Sequence, residues 1–246
     1  MTQRKRMVHA HQLGPHTPYE PVWRWQKDLL RKRVEATAPG KEHTHTFPDI
    51  VIFTEHQPVF TLGRGDRTAK YLKFDIDTVP EPFTLYQTER GGHVTYHGPG
   101  QLTVYPVLNL SHFRKDLHWY VHTIEEVIIK TLTEYGLTAS RIKGLPGVWV
   151  DGAKIAQIGV NVNRWHTMHG FAINVNPDLS HFDYIVPCGI DDRQVCSMHS
   201  MLQKPVSVKE VQDTVMEIFQ REFGCKFIFM DQQEEEEETR VSEEQH

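Results

Sequence analysis

The apolar positions change period several times along the chain, and each change marks an element. Over residues 18–36, Val22, Trp25, Leu29 and Leu30 recur at helical spacing, and Arg31, Lys32 and Arg33 follow where cations suit the helix dipole. This predicts a surface helix. Residues 36–49 are rich in breakers and polar side chains, and DIVIFTEH after them has the β-branched character of a buried strand. FTLYQT (83–88) and QLTVYPVL (101–108) are further predicted strands. From Asp116 to Tyr135 the positions Leu117, Tyr120, Val121, Ile124, Val127, Ile128, Leu132 and Tyr135 keep the 3.6-residue repeat, with Gly136 where a C-terminal cap belongs.

GVWV and AKIAQIGVNV flank Asp151-Gly152, the strongest short-range signal for a two-residue hairpin, and Lys154 falls just inside the second strand. GFAINV reads as another strand, Asn176-Pro177 as a turn, and Val186-Pro187-Cys188-Gly189 as a loop. Ser207 with Glu210 predicts a capping box opening a helix whose buried face carries Val211, Val215, Ile218 and Phe219. Strands outnumber helices and adjacent ones look antiparallel, so the expected class is α/β in the α+β sense, a mixed and mostly antiparallel sheet packed with helices. The expected organisation is a flexible tail over 1–17, one domain over 18–230, and an acidic disordered tail over 231–246.

Composition narrows this picture. The 246 residues are 39% hydrophobic and 24% charged, as in an ordinary globular domain. The formal charge of -5 is concentrated at the end: eight acids against Arg240 over 231–246 leave the body near +2. That argues against the strongly basic stripe of a nucleic-acid binder. No apolar run reaches the roughly 18 residues of a membrane span, and the basic start MTQRKRM lacks the apolar segment of a secretory signal. No membrane partner is expected. The expected location is the cytoplasm, or a plastid or mitochondrion if the source is eukaryotic. Three cysteines without CxxC spacing suggest neither a disulfide framework nor a zinc site.

Sixteen histidines make metal ligation worth weighing. His118 and His122 are four apart on a predicted helix, but the segment lacks the HExxH glutamate, and His93 and His97 lie on a predicted loop. No metal and no cofactor are expected. The glycine-rich RGGHVTYHGPGQ (90–101) frees the backbone to approach a ligand while Arg90, His93, Thr95, Tyr96, His97 and Gln101 offer polar contacts. A plain turn between strands explains it as well, and no Walker-type lysine follows. Taken alone, Cys188, between proline and glycine, reads more readily as an inert buried thiol than as a rigidly held nucleophile, and Lys154 more readily as a solvated edge residue than as a functional amine.

Taken together, RGGHVTYHGPGQ, GVWVDGAKIAQIGV, HGFAINV and VPCGI stand in the order and at the spacing of the lipoyl(octanoyl) transferases, and the chain resembles that family from about Ile50 to Met201. The resemblance implies a fold like that of biotin and lipoate protein ligases. It implies that Cys188 carries an acyl thioester and that Lys154 lowers the thiol's pKa and shuttles protons. It further implies substrate contacts at Arg90, Gly91, Gly92, His93, Val94, Thr95, Tyr96 and His97, at Gln157, Ile158 and Gly159, and at Gly170, Phe171 and Ala172. The implied donor is octanoyl-acyl carrier protein. The implied acceptors are lysines of the lipoyl domains of 2-oxoacid dehydrogenase E2 subunits and of the glycine cleavage H protein. Three other readings stay open at this point: an ATP-dependent lipoate or biotin protein ligase, a cysteine hydrolase pairing Cys188 with His97, and a non-catalytic module that binds carrier domains.

Overall fold

The structure is a computed structural model that describes residues 5–37, 47–66, 69–186 and 194–229. Its main sheet has eight strands. In chain order these are β1 (Arg6–Gln12), β2 (Asp49–Thr54), β6 (Gln101–Val107), β7 (Ala139–Ile142), β8 (Leu145–Val150), β9 (Ala153–Asn163), β10 (His166–Asn174) and β11 (Cys225–Phe229), laid side by side as β11-β1-β2-β6-β10-β9-β8-β7. The β1 pairs with β2 and β11 are parallel, and the other five are antiparallel. A second sheet of three strands, β4-β3-β5, is made by β3 (Val59–Leu62), β4 (Thr84–Gln87) and β5 (Val94–His97). The mixed, mostly antiparallel sheet agrees with the expected class.

Helices cover both faces of the main sheet, which explains why its central strands read as continuous apolar runs. In β2, Val51 and Phe53 enter the large core beneath α2 (Leu117–Glu134) and α4 (Val208–Phe223), whereas Ile50 and Ile52 meet α1 (Tyr19–Ala36) on the opposite face. Strand β6 alternates in the same way, with Leu102 and Val104 on one side and Tyr105 and Val107 on the other. Val211, Val215, Ile218 and Phe219 of α4 are buried as their spacing predicted, each worth roughly 1.5–3 kcal/mol of burial.

The ends of α2 also match. Asp116 accepts from the Trp119 N–H, and Gly136 at φ 81 closes the C-terminus. Before α4 only half of the expected capping box forms, with Ser207 accepting from the Glu210 N–H. The reciprocal box opens α3 (Met198–Leu202), between Ser197 and Ser200.

Two expectations are corrected. Residues 6–12 are not part of a flexible tail: they form β1, inserted between β2 and β11, with Val8 and Ala10 in the large core. Histidines alternate with those two residues, so the apolar signal is short and only the neighbouring strands stabilise it. VTYH is likewise a buried strand, β5, and not loop. The tail over 231–246 lies outside the described residues. Among the described residues no helix is long and apolar enough to cross a membrane.

Candidate active site

The small sheet, the strands β9 and β10, and the N-termini of α1 and α2 enclose a cavity of 460 Å³, within the usual range for a small-molecule site. Of the expected substrate-contacting residues, Arg90 to Thr95, His97, Gln157 to Gly159 and Gly170 to Ala172 line it, and Lys154 does too. Tyr96 does not. It is buried in an aromatic cluster with Phe60, Phe83 and Phe182, and its hydroxyl lies 2.8 Å from His181 Nδ1. Cys188 lies outside the described residues.

The lysine is positioned by the hairpin. Asp151 (φ 48) and Gly152 (φ 81) make the left-handed two-residue turn between β8 and β9, and Lys154 pairs across it with Trp149, its Nζ 5.2 Å from the Trp149 ring centroid. Lys154 is 5% exposed. Room for its stem comes from Gly147, at φ 120, where a Cβ would fall 2.4 Å from Lys154 Cε and 2.6 Å from the Ala156 carbonyl oxygen. The backbone of Lys154 is tied to the segment that follows residues 187–193: its N–H donates to the Gln194 carbonyl and its carbonyl accepts from the Cys196 N–H, both at 2.9 Å.

Arg90 spans the roof. Its guanidinium donates to Thr61 Oγ1 at 3.0 and 3.1 Å and to the Gly91 carbonyl at 3.0 Å, joining the loop to β3. The same loop is laced to residues 63–65 by backbone bonds from Gly63 to His93, Arg64 to Arg90 and Gly65 to Gly92, each 3.0 Å. Gly170 serves close packing of strands, since a Cβ there would fall 2.1 Å from the Val104 carbonyl oxygen.

Most of the wall is apolar, from Val94, Leu117, Val121, Leu145, Pro146, Ile158, Val160, Phe171 and Phe182. A polar patch from Tyr19, His97, Thr103, Tyr105 and His169 interrupts it. His97 and His56, behind Tyr105, are buried, and desolvation holds their pKa values down at about 3 and about 4. His56 Nδ1 meets the Thr17 carbonyl at 3.0 Å, which can only accept, so Nδ1 carries the proton and Nε2 accepts from the Tyr105 hydroxyl at 2.7 Å. His169 lies 3.5 Å from Glu89. Partial burial opposes ionisation of that carboxyl, but the close approach of His169 and the hydrogen bond from Trp23 outweigh it and hold its pKa at about 2.

Sequence reasoning missed Tyr19, Thr103, Tyr105, His169 and the Gly144–Pro146 edge. Tyr105 and Thr103 share one face of a strand that was foreseen, and His169 adjoins the HGFAINV motif, so an even-odd reading of the strands would have raised them. Burial pushes the thiols of Cys196 and Cys225 up to about 12, which favours their protonated form. Among the described residues no group of three His, Cys, Asp or Glu is placed to hold a metal.

The fold is that of the lipoate protein ligases. Lipoate-protein ligase A, solved with ATP bound, superposes with a TM-score of 0.70 at 16% identity, covering 94% of this chain and 92% of its own. The family model for the lipoyl protein ligase A/B catalytic domain matches residues 18–220. An octanoyltransferase of Nostoc punctiforme is 46% identical over 211 residues, 86% of each chain. A chloroplastic octanoyltransferase of Arabidopsis thaliana is 43% identical over 197 residues, 80% of this chain and 68% of its own. The chain belongs to the lipoyl protein ligase A/B catalytic family. Within it, its activity is that of the octanoyltransferases: it is an acyltransferase that moves octanoyl groups in protein lipoylation.

Proposed function

We propose that the octanoyl group passes from acyl carrier protein to Cys188 as a thioester and then to a lysine of a lipoyl domain, with Lys154 as the proton shuttle. The observation that carries this reading is the placement of Lys154. It is buried on the cavity wall with its backbone bonded to Gln194 and Cys196, and Cys188 precedes Gln194 by six positions in the chain. With Cys196 and Cys225 held as thiols by burial, Cys188 is the candidate nucleophile that remains.

Thioester exchange from carrier to cysteine is nearly balanced in free energy, and the covalent intermediate divides the transfer into two easier steps. In the first, the Cys188 thiolate attacks the donor carbonyl, the carrier C–S bond breaks, and Lys154 delivers a proton to the departing thiol. An ammonium at about 4 Å in an effective dielectric of about 20 stabilises a thiolate by about 4 kcal/mol, enough to bring a thiol of pKa about 8.5 below neutrality. In the second, the acceptor amine forms the C–N bond and expels Cys188. The acceptors we propose are the lipoyl domains of 2-oxoacid dehydrogenase E2 subunits and the glycine cleavage H protein. The compartment we propose is the cytoplasm, or in a eukaryote the mitochondrion or the plastid, the last supported by the chloroplastic relative.

Intact-mass measurement after incubation with octanoyl-acyl carrier protein tests the reading. A gain of one octanoyl group on the wild type and none on Cys188→Ser is expected, without any nucleotide. An active enzyme that never gains mass overturns it. Lys154→Arg keeps the charge but cannot readily act as a base, and turnover at the wild-type rate in that variant rejects the shuttle.

A further inference from the structure

A chain of side-chain amides runs behind the cavity wall. His97 Nδ1 lies 2.7 Å from Gln101 Oε1, and Gln101 Nε2 donates to the Tyr96 carbonyl at 3.1 Å and to Asn174 Oδ1 at 3.0 Å. Asn174 Nδ2 donates to the Cys196 carbonyl at 3.0 Å, and the Cys196 N–H donates to the Lys154 carbonyl at 2.9 Å. Gln101 and Asn174 are fully buried.

The two backbone carbonyls at the ends, Tyr96 and Cys196, can only accept. Each therefore draws an amide NH2 toward itself, which turns the Gln101 oxygen to His97. That oxygen accepts too, so His97 carries its proton on Nδ1 and keeps a lone pair on Nε2. His97 stands on the cavity wall, and Nε2 has no partner among the described residues. Desolvation, with His56 close by, keeps the ring neutral through the physiological range.

We propose that Gln101 and Asn174 are positioning residues for the second half of the reaction: they fix His97 as a neutral acceptor that orients the incoming lysine amine through an N–H···Nε2 hydrogen bond. The inference rests on the acyl-enzyme reading above. An acyl chain and its thioester have no hydrogen-bond donor, so an acceptor on this wall has nothing to offer them. The attacking amine has donors. Held by one N–H, it keeps its lone pair directed at the carbonyl. The C–N bond then forms, the C–S bond to Cys188 breaks, and the proton lost by nitrogen passes through Lys154 to the departing thiolate. His97 orients the amine and is too weak a base to retain that proton.

Loading of Cys188 and its discharge onto a lipoyl domain are followed separately by intact mass. His97→Asn retains an amide near Nδ1 but has no atom at Nε2, whereas His97→Gln brings an amide oxygen near Nε2. Discharge in His97→Asn is expected to fall at least tenfold more than loading, with His97→Gln recovering most of the difference. Gln101→Glu sets a carboxylate beside Nδ1, favours the imidazolium and turns Nε2 into a donor. Taken as a ratio to wild type, whose own discharge rises with pH as the acceptor amine loses its proton, its discharge is expected to be poor at low pH and to recover as pH rises through the elevated His97 pKa. A packing defect would leave the ratio flat. The other titratable groups around His97, namely His56, His169, Arg90, Tyr19 and Tyr105, are common to both proteins. Equal loss of loading and discharge in His97→Asn overturns the proposal. So does slower loading from a pantetheine thioester but not from octanoyl ethanethiol thioester, which has no N–H, because the recognised donor would then lie on the carrier arm. A wild type that never gains octanoyl mass instead rejects the acyl-enzyme reading itself.

Discussion

Two buried polar clusters sit at opposite ends of α1, and they are built on different terms. At the Arg33 end, Asp49 accepts from Arg6 Nε at 2.9 Å, His112 Nδ1 at 2.8 Å and the Asn109 N–H at 2.7 Å, while Arg33 donates to the carbonyls of Val107, at 2.7 Å, and Pro48. Burial opposes the Asp49 charge, but the bonds from His112 and Asn109 outweigh it and leave its pKa below the usual carboxylate range. At the Tyr19 end, His56 and His97 are neutral, their partners are amides, a hydroxyl and a carbonyl, and Tyr19, Tyr105 and His97 open onto the cavity. The first cluster spends its hydrogen-bonding capacity on joining elements. The second fixes orientation and keeps a lone pair for a ligand.

The largest expected consequence is on stability at the Arg33 end. Asp49→Ala strips partners from Arg6, His112 and the Asn109 N–H together, and breaking a buried charged network costs about 3–5 kcal/mol, a large share of the roughly 5–15 kcal/mol of a typical domain. Urea unfolding measures it. Turnover per folded molecule should stay near wild type, since Asp49 does not line the cavity, and an equal loss of specific activity would merge the two clusters into one.

Next in size is a change on the cavity side that leaves Lys154 in place but takes away its room. Gly147→Ala sets a Cβ where Lys154 Cε and the Ala156 carbonyl lie and imposes φ 120 on an L-residue. Octanoyl loading is expected to fall at least a hundredfold, about 2.7 kcal/mol on the barrier. Loading within threefold of wild type would show that the stem of Lys154 need not run through this notch.

Acid should draw on both clusters. Burial holds His11, His56 and His166 at about 4 and His97 at about 3, whereas the unfolded chain takes up these protons below about pH 6.5. Unfolding therefore binds protons in this window: the contribution is complete above about pH 6.5 and is lost as pH falls toward 4, at about 1.4 kcal/mol per pH unit for each histidine. Burial lowers His169 as well, so replacing His56 and His97 by Gln, two of these five histidines, should remove roughly two fifths of the slope of unfolding free energy measured between pH 6 and 4.5. An unchanged slope would mean that the cavity histidines are already protonated when folded.

What the sequence disclosed was whatever neighbours along the chain decide. The Asp151-Gly152 turn, the Asp116 and Gly136 ends of α2 and the apolar face of α4 follow from local chemistry, and the transferase motifs bring most of the cavity wall with them. The missing pieces are set by contacts far along the chain. Strand β1 depends on its place between β2 and β11. The turn from β9 to β10 runs through Arg164 (φ 47) and Trp165 (φ 67), which carry no glycine or asparagine signal and are held in place by the pairing of Asn163 with His166. Tyr96 sits inside a cavity motif yet lies on the face of β5 opposite Thr95 and His97, packed in the aromatic cluster, and only Val94 at the start of that face reaches the cavity as well. Tyr19 reaches the site from a helix some seventy positions before the glycine loop, so no spacing rule could assign it.

The smallest expected effect falls on the hydroxyl that closes the cavity cluster. Tyr105→Phe deletes the donor to His56 Nε2 and leaves that nitrogen with a lone pair beside the cavity wall. An unsatisfied buried acceptor costs about 1–3 kcal/mol, and this site belongs at the low end, about 1 kcal/mol, because water in the cavity can reach the space the hydroxyl leaves. At Asp49 no such compensation exists, since its carboxylate is 1% exposed and three donors converge on it. The ratio of the two losses in urea unfolding is thus a direct measure of how differently the clusters are built. A Tyr105→Phe loss as large as that of Asp49→Ala would mean that the cavity cluster is as closed to solvent as the structural one, and that its open lone pair at His97 is not available to a substrate.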